Sequence, residues 1–237
     1  MLKIYILSLM VLTGLTSQAQ MKIAIPEIGV VQELENDSLL VVCGFRYLVE
    51  STPKILSPRN VSDQDFQDQL QTIKNLQTPL YACNLFIPGD LKAVGPNVDE
   101  KAVLDFVEIV LRRAQAAGLT LITWGSGGSR RVPEGFSRIK AKEQFIELAR
   151  KVAEIAERYN IILALENLNS TECNFINTLK EALAVVKSVD HKNFRLCVDI
   201  YHMLKEEESP DAIAGTKGYA VYCELAEKEG RTPPGVK

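Results

Sequence analysis

Histidine and tryptophan are scarce in this chain of 237 residues, which has two histidines, His191 and His202, and one tryptophan, Trp124. A hydrolytic centre of several zinc ions needs more histidines, so the sequence argues against one. The five cysteines include no C-x-x-C pair; four lie in apolar segments, where we expect small buried side chains, and their spacing leaves any disulfide open. No G-x-G-x-x-G follows the first apolar run, which disfavours a dinucleotide-binding fold.

Long runs of like charge are missing as well. The longest is the acidic triplet at 206–208, and 27 basic residues nearly balance 30 acidic ones, for a formal net charge of −3. Such a chain has no basic arm to attract a polyanion, so we expect no nucleic-acid partner. With 46% hydrophobic and 24% charged residues, the composition is that of a globular protein with one sizeable core.

The first apolar run is too short for a membrane anchor. It covers residues 4–15, whereas a helix needs about 20 apolar residues to span a bilayer. A lysine precedes the run, and residues 17–19 place small side chains where a signal peptidase recognises them. We therefore expect a cleaved secretory signal over 1–19, a single domain over 20–237, a secreted or periplasmic location and no stable membrane span. An uncleaved anchor is the alternative.

Short apolar runs alternate with longer amphipathic ones along the rest of the chain. The predicted strands cover residues 28–31, 45–50, 80–87, 119–124, 161–165, 194–200 and 220–225. The predicted helices cover residues 32–44, 63–76, 99–117, 141–159, 178–189 and 210–214. The helix over 178–189 is expected to begin with a capping box formed by Thr178 and Glu181. Strands that alternate with helices are joined by crossovers, which produces a parallel sheet, and continuous apolar strands indicate burial on both faces.

These elements predict an α/β fold, a (β/α)8 TIM barrel of which about seven strands and six helices are present. A complete barrel typically has about 250 residues. The last residues, 232–235, have the composition of a loop, so we expect the last βα unit to be missing from this chain.

Carboxylates end two neighbouring predicted strands. Glu166 directly follows the fifth apolar run, Asp199 ends the sixth, and His202 comes three residues later. Active sites of such barrels lie at the carboxyl ends of the strands, so these side chains should meet there. Two carboxylates from adjacent strands can share a hard divalent cation, which removes their mutual repulsion. The alternative is that each carboxylate caps a helix or pairs with a basic side chain.

A glycine-rich segment, 125–131, follows the fourth predicted strand and ends in two arginines. Its glycines would let backbone N–H groups approach an anion, so phosphate binding is one interpretation, although a wall of the pocket is the stronger one. Trp124 lies at the end of the same strand. Its ring would either pack on a sugar or belong to the core.

The segments 166–172, 199–202 and 226–235 resemble the sugar phosphate isomerase/epimerase family of the xylose-isomerase-like TIM barrels, which includes ketose 3-epimerases and hydroxypyruvate isomerases. The resemblance covers most of the chain after the predicted signal. It implies a small-molecule sugar as substrate and a divalent cation, Mn²⁺, Mg²⁺ or Co²⁺, held by Glu, Asp, His and Glu. It also implies proton abstraction beside a carbonyl, through an enediolate.

Residue by residue, the resemblance implies that Glu166 and Asp199 are metal ligands and that Glu166 is also one of two catalytic bases. It implies that Glu172, His202 and Arg231 contact the substrate. Trp124 is our further candidate for substrate contact, from its place at a strand end.

Two departures from the family pattern stand out. The family's ligand histidine on the seventh strand falls at or near Glu224, which offers an oxygen instead and is our third candidate ligand. The fourth ligand, a glutamate on an eighth strand, would lie beyond Lys237. A catalytically degenerate or truncated sugar-binding relative is therefore the alternative to an enzyme, while an endonuclease-IV-like phosphodiesterase conflicts with the few histidines and the acidic charge. The sequence leaves open the sugar, its phosphorylation, and whether the protein forms a homo-oligomer.

Overall fold

The computed structural model describes residues 27–236, so the predicted signal at 1–19 lies outside the described residues. Nine α-helices surround a sheet of seven parallel strands in this part of the chain. The strands are β1 (Gly29–Val31), β2 (Tyr47–Ser51), β3 (Leu80–Asn84), β4 (Leu121–Trp124), β5 (Ile162–Glu166), β6 (Phe194–Asp199) and β7 (Ala220–Glu224). The helices are α1 (Asp37–Cys43), α2 (Thr52–Ile55), α3 (Asp63–Lys74), α4 (Glu100–Ala116), α5 (Gly127–Arg130), α6 (Arg138–Arg158), α7 (Leu179–Val189), α8 (Ile200–Lys205) and α9 (Asp211–Ala214). Within residues 27–236, no helix is both long and apolar enough to cross a membrane.

The strands lie side by side in chain order, from β1 to β7, and every neighbouring pair is parallel. With helices as the connections, this is an incomplete (β/α)8 TIM barrel, which confirms the predicted fold class. The main differences from the prediction are three additional short helices, α2, α5 and α8. Each begins directly after a strand or within three residues of its end. These helices have only four to six residues, which is too short for helical periodicity to be detected in the sequence.

The predicted capping box of α7 is present. The Thr178 side chain accepts a hydrogen bond from the backbone N–H of Glu181, and the Glu181 carboxylate accepts one from the backbone of Thr178. Two otherwise unpaired N–H groups at the helix start are thereby satisfied, which explains why the helix begins there.

Two apolar clusters lie on the two faces of the sheet. The larger fills the space between the sheet and the surrounding helices. The smaller lies inside the barrel, and its members are Val49, Ala82, Leu121, Ala164 and Cys197, with Tyr81 and Tyr222 packed against them. Side chains two residues apart on a strand point to the same face. Glu166 and Asp199 come two residues after members of the inner cluster, and Glu224 comes two residues after Tyr222, so all three point inward at the mouth.

The cysteines correct one expectation. All five have free thiols, and Cys83, Cys173 and Cys197 are buried as small apolar residues. Cys43 and Cys223 are exposed, although both lie in apolar segments. Cys43 ends α1, and Cys223 belongs to β7, which has only β6 beside it within the described sheet.

Candidate active site

Glu166 and Asp199 converge at the mouth, as expected for the ends of neighbouring parallel strands. Their side chains are 8% and 2% exposed. Together with the fully buried His202, they offer three ligand atoms that all lie within 4.8 Å of one another. The ionisable ends of three side chains are therefore packed into one small volume, where little water is present to stabilise a charge.

Asp199 has two roles, one for each oxygen. Its Oδ1 caps α8 by accepting a hydrogen bond from the backbone N–H of His202 at 3.0 Å. Its Oδ2 stays inside the mouth, 3.6 Å from His202 Nε2 and 3.8 Å from Arg231 Nη2. The helix-capping alternative for this aspartate is thus observed, and it leaves one carboxylate oxygen available to the site.

The hydrogen bonds around His202 define its protonation. Nδ1 accepts from the backbone N–H of Asn169 at 3.1 Å and lies 2.8 Å from the Asn169 side-chain nitrogen. Because Nδ1 accepts, a neutral ring carries its proton on Nε2. Nε2 lies 3.3 Å from Glu166 Oε1 but has no hydrogen-bond partner within residues 27–236. Burial lowers the pKa of His202, which favours this neutral form.

Burial and crowding perturb the carboxylates strongly. Burial, followed by the charge of Asp199, raises the pKa of Glu166 to about 8. Burial, followed by the charges of Glu166 and Asp199, raises the pKa of Glu224 to about 8. Buried like charges that raise one another's pKa are typical of functional sites, and a divalent cation would stabilise their ionised forms. The donor set therefore fits a hard cation.

Glu172 and Arg231 meet at the outer rim of the same mouth. Glu172 Oε1 accepts from the Asn169 side chain at 3.0 Å and lies 3.5 Å from Arg231 Nη1. Glu172 Oε2 lies 4.0 Å from His202 Nε2. The guanidinium group of Arg231 sits 4.5 Å from the centre of the Tyr201 ring. The structure thus brings both predicted substrate contacts to the site, and adds Asn169 and Tyr201 as their supports.

Gly125 makes room for the Glu166 carboxylate. A Cβ atom at this position would lie 1.6 Å from Glu166 Oε2, far inside van der Waals contact. Any larger residue would therefore displace the carboxylate. The glycine-rich pattern of the segment was visible in the sequence, but the side chain that approaches it was not.

The two arginines of that segment donate hydrogen bonds to backbone carbonyl oxygens. Arg130 is fully buried and donates to the carbonyl oxygens of Trp124 at 2.9 Å and Glu166 at 2.6 Å. Arg131 donates to the carbonyl oxygen of Glu172 at 2.5 Å. Both guanidinium groups donate to backbone carbonyl oxygens at the mouth, and the burial of Arg130 removes it as a partner for a bound phosphate. The pocket-wall interpretation of the segment stays a prediction.

Trp124 also differs from its predicted role as a substrate contact. Its side chain is fully buried, with its ring 5.0 Å from Phe145, 5.5 Å from Phe86 and 6.1 Å from Phe194. These residues belong to the outer cluster, between the sheet and the helices. Trp124 is a core residue because the strand alternation turns it away from the mouth.

A family profile matches most of the chain. Residues 40–231 match the family described as Xylose isomerase-like TIM barrel. The chain belongs to this family. The family resemblance predicted from the sequence is thereby confirmed, and the inward-pointing strand ends described above are where enzymes with TIM barrels have their active sites.

Several proteins that are similar to this chain are named as epimerases. The D-psicose 3-epimerase of Ruminiclostridium cellulolyticum is 40% identical over 92 residues, which are 38% of this chain and 31% of that protein. The matched segment thus spans about a third of the curated relative.

Solved structures resemble the fold over a larger share. A D-psicose 3-epimerase from Clostridium cellulolyticum H10, determined with D-tagatose, has a TM-score of 0.74 and 22% identity, covering 87% of this chain and 76% of the other. The apo 3-keto-D-glucoside 4-epimerase from E. coli has a TM-score of 0.70 and 19% identity, covering 85% and 79%. At these identities the likeness shows the xylose isomerase-like fold.

Proposed function

We propose that this chain acts as a divalent-metal-dependent sugar isomerase or epimerase on a ketose. The observation that carries the proposal is the convergence of Glu166, Asp199 and His202 at the barrel mouth. Support comes from the relatives, which are named as epimerases of sugars. A secretory signal at 1–19 is part of the proposal, and a secreted location favours free over phosphorylated sugars.

Glu166, Asp199 and Glu224 would hold the cation in this proposal. All three point inward, and carboxylate oxygens suit Mg²⁺ and Mn²⁺. When bound, the cation would polarise the carbonyl and hydroxyl oxygens of the sugar and stabilise the negative charge that develops there.

Glu166 would be the base that removes the proton from the carbon beside the carbonyl, leaving an enediolate. Its pKa of about 8 reflects burial and the charge of Asp199. A cation nearby would lower this pKa, so that the carboxylate is ionised at neutral pH and free to accept a proton. The same carboxyl group can deliver the proton, on the same face, to the former carbonyl carbon, while a proton passes from the neighbouring hydroxyl oxygen to the carbonyl oxygen. This transfer moves the carbonyl to the adjacent carbon and suffices for an isomerisation.

The rim residues would orient the sugar. The Nε2–H group of His202 would donate a hydrogen bond to a substrate oxygen, as would the guanidinium of Arg231, while Glu172 would accept from a hydroxyl. Inversion of a carbon requires a second group on the opposite face of the sugar. The family resemblance assigns that group to an eighth strand, which residues 27–236 do not include.

A second candidate is a sugar-binding relative without catalysis, which the glutamate in place of the family's histidine at Glu224 favours. An exchange assay separates the two. The full chain with Mn²⁺ is incubated with D-fructose, D-psicose or D-tagatose in deuterated water, and NMR follows deuterium entry beside the carbonyl.

We expect exchange with the wild-type chain and about 100-fold slower exchange with Glu166→Gln, which removes the base while keeping the shape of the side chain. Sugar binding by calorimetry without exchange would support the second candidate. If the chain neither binds nor exchanges any of the three ketoses, both candidate functions are contradicted.

A further inference from the structure

We infer that the cation site of this chain is formed by carboxylate oxygens alone, with Glu224 as a ligand and His202 excluded. This inference rests on the proposed function, since it describes the same site. It differs from what proximity suggests, because within residues 27–236 the group of candidate ligands whose atoms all lie within 4.8 Å of one another is Glu166, Asp199 and His202, without Glu224. It also replaces the nitrogen donor expected from the family resemblance with an oxygen donor.

The first step concerns the ring of His202. A histidine that ligates a metal through one ring nitrogen almost always donates a hydrogen bond from the other. Here the other nitrogen, Nδ1, accepts from the backbone N–H of Asn169 at 3.1 Å. A backbone N–H has no alternative role, so Nδ1 must carry the lone pair and Nε2 the proton. A protonated Nε2 has no lone pair to give to a cation.

The second step is that the surroundings hold this arrangement. The Asn169 side-chain oxygen accepts from the backbone N–H of Thr171 at 3.1 Å and from the Thr171 hydroxyl. The Asn169 amide therefore turns its NH₂ group towards Nδ1, at 2.8 Å, and towards Glu172 Oε1, at 3.0 Å. Two donors thus face the same ring nitrogen. Rotating the ring by half a turn would leave both of them facing a carbon atom.

The third step concerns Glu224. It is the register partner of Asp199 on the neighbouring strand, which places both carboxylates at the same level of the mouth. Its Oε1 is buried and has no hydrogen-bond partner in the part of the chain that the structure describes. A buried carboxylate oxygen beside two further carboxylates is costly unless a cation or a proton compensates it.

The buried Nε2 of His202 is independent evidence that the mouth receives a ligand. It has no hydrogen-bond partner among residues 27–236, although the side chain is fully buried and lies 3.3 Å from Glu166 Oε1. A donor so placed is satisfied when an oxygen of the substrate enters between the imidazole and the cation site.

An oxygen-only site has a measurable signature. Imidazole ligands suit Co²⁺ and Zn²⁺, whereas carboxylates suit Mg²⁺ and Mn²⁺. First-row ions later in the series bind more tightly to almost any site, so the informative quantity is the ratio of two affinities, compared between variants. Restoring the nitrogen with Glu224→His should increase the preference for Co²⁺ over Mn²⁺.

The decisive experiment is pulsed electron paramagnetic resonance on the Mn²⁺-loaded full chain, which detects nitrogen nuclei bonded directly to the ion. We expect no directly coordinated nitrogen in the wild type and a clear nitrogen coupling in Glu224→His, the positive control. Calorimetry should show that Glu224→Gln weakens Mn²⁺ binding about tenfold or more. It should also show that Glu224→His raises the Co²⁺/Mn²⁺ affinity ratio about tenfold.

His202→Gln is the matched test of the excluded ligand. It should leave Mn²⁺ affinity within about threefold of the wild type, since a lost ligand costs more than that. A nitrogen coupling in the wild type that disappears in His202→Gln would overturn the inference, as would the absence of Mn²⁺ binding. The wild-type spectrum is decisive even if a variant fails to fold. Deuterium exchange together with a nitrogen coupling in the wild type would contradict this inference but not the proposed function. An oxygen-only Mn²⁺ site without deuterium exchange would contradict the proposed function but not this inference.

Discussion

The two ends of the barrel interior are built on the same strands but carry opposite chemistry. Ala164 on β5 and Cys197 on β6 belong to the apolar inner cluster, whereas Glu166 and Asp199, two positions further along the same strands, form the mouth. All four side chains are at least nine-tenths buried. Burial of apolar atoms stabilises the fold, and burial of carboxylates opposes it. Mutations at the two ends should therefore separate stability from function.

The largest effect should come from the inner cluster. Leu121→Ala removes most of the side chain of a residue that is 2% exposed. We expect it to lower the free energy of unfolding by about 2–5 kcal/mol, because a cavity replaces packed atoms. Urea unfolding followed by circular dichroism measures this. Mn²⁺ affinity of the folded protein should change little; a large loss would mean that the two ends are not independent.

Gly125→Ala, at the mouth, should impair metal binding and exchange more than it impairs stability. The new Cβ would lie 1.6 Å from Glu166 Oε2, so the carboxylate must move. We expect Mn²⁺ affinity and deuterium exchange to fall by about 100-fold, with a smaller change in stability. Gly215→Ala is the control, since its Cβ would meet only the Ala212 carbonyl oxygen at 3.4 Å. Unchanged Mn²⁺ affinity in Gly125→Ala would show that Glu166 does not need this space.

The metal-free protein should become less stable as the pH rises from about 5 to 8. The pKa values of Glu166 and Glu224 are raised to about 8 from an ordinary value of 4.5. Between these values the folded state binds more protons than the unfolded state, so raising the pH favours unfolding. Thermal melts in EDTA test this, and Glu166→Gln should flatten the profile, whereas Glu143→Gln, at an exposed position, should not. A melting temperature that rises over this interval would contradict the raised pKa values.

The smallest effect concerns the rim. The ring of Tyr201 lies 4.5 Å from the guanidinium of Arg231, and a cation–π contact of this kind stabilises by about 1 kcal/mol. We expect Tyr201→Leu to raise the KM for a ketose about fivefold, since Arg231 loses its support. Tyr201→Phe keeps the ring and should stay close to the wild type. Equal losses in both variants would point to the hydroxyl group instead.

Sequence patterns predicted the elements that depend on local order. The alternation of apolar runs predicted the parallel strands, Thr178 and Glu181 predicted the start of α7, and the carboxylates after the fifth and sixth runs predicted a shared mouth. Each of these signals is carried by residues within a few positions of one another or by a rule common to the whole fold.

Contacts between distant residues were beyond the reach of the same patterns. Trp124 was a candidate for substrate contact because it ends a strand, but the direction of its side chain depends on which strand positions face inward. The donor to His202 Nδ1 is the backbone of Asn169, 33 positions away. The sequence allowed Arg130 to bind a phosphate, but its guanidinium group donates to the carbonyl oxygens of Trp124 and Glu166.

The amino-acid sequence by itself determined the fold class of this protein, because hydrophobic periodicity and strand–helix alternation are properties of short segments. It also determined that Glu166 and Asp199 share the mouth, since parallel strands end at one edge of a barrel. Only the tertiary structure decided which atom of His202 faces the mouth and which groups compensate each charge. Hydrogen bonds and burial join residues far apart in the chain, and their geometry exists only once the strands have curled together.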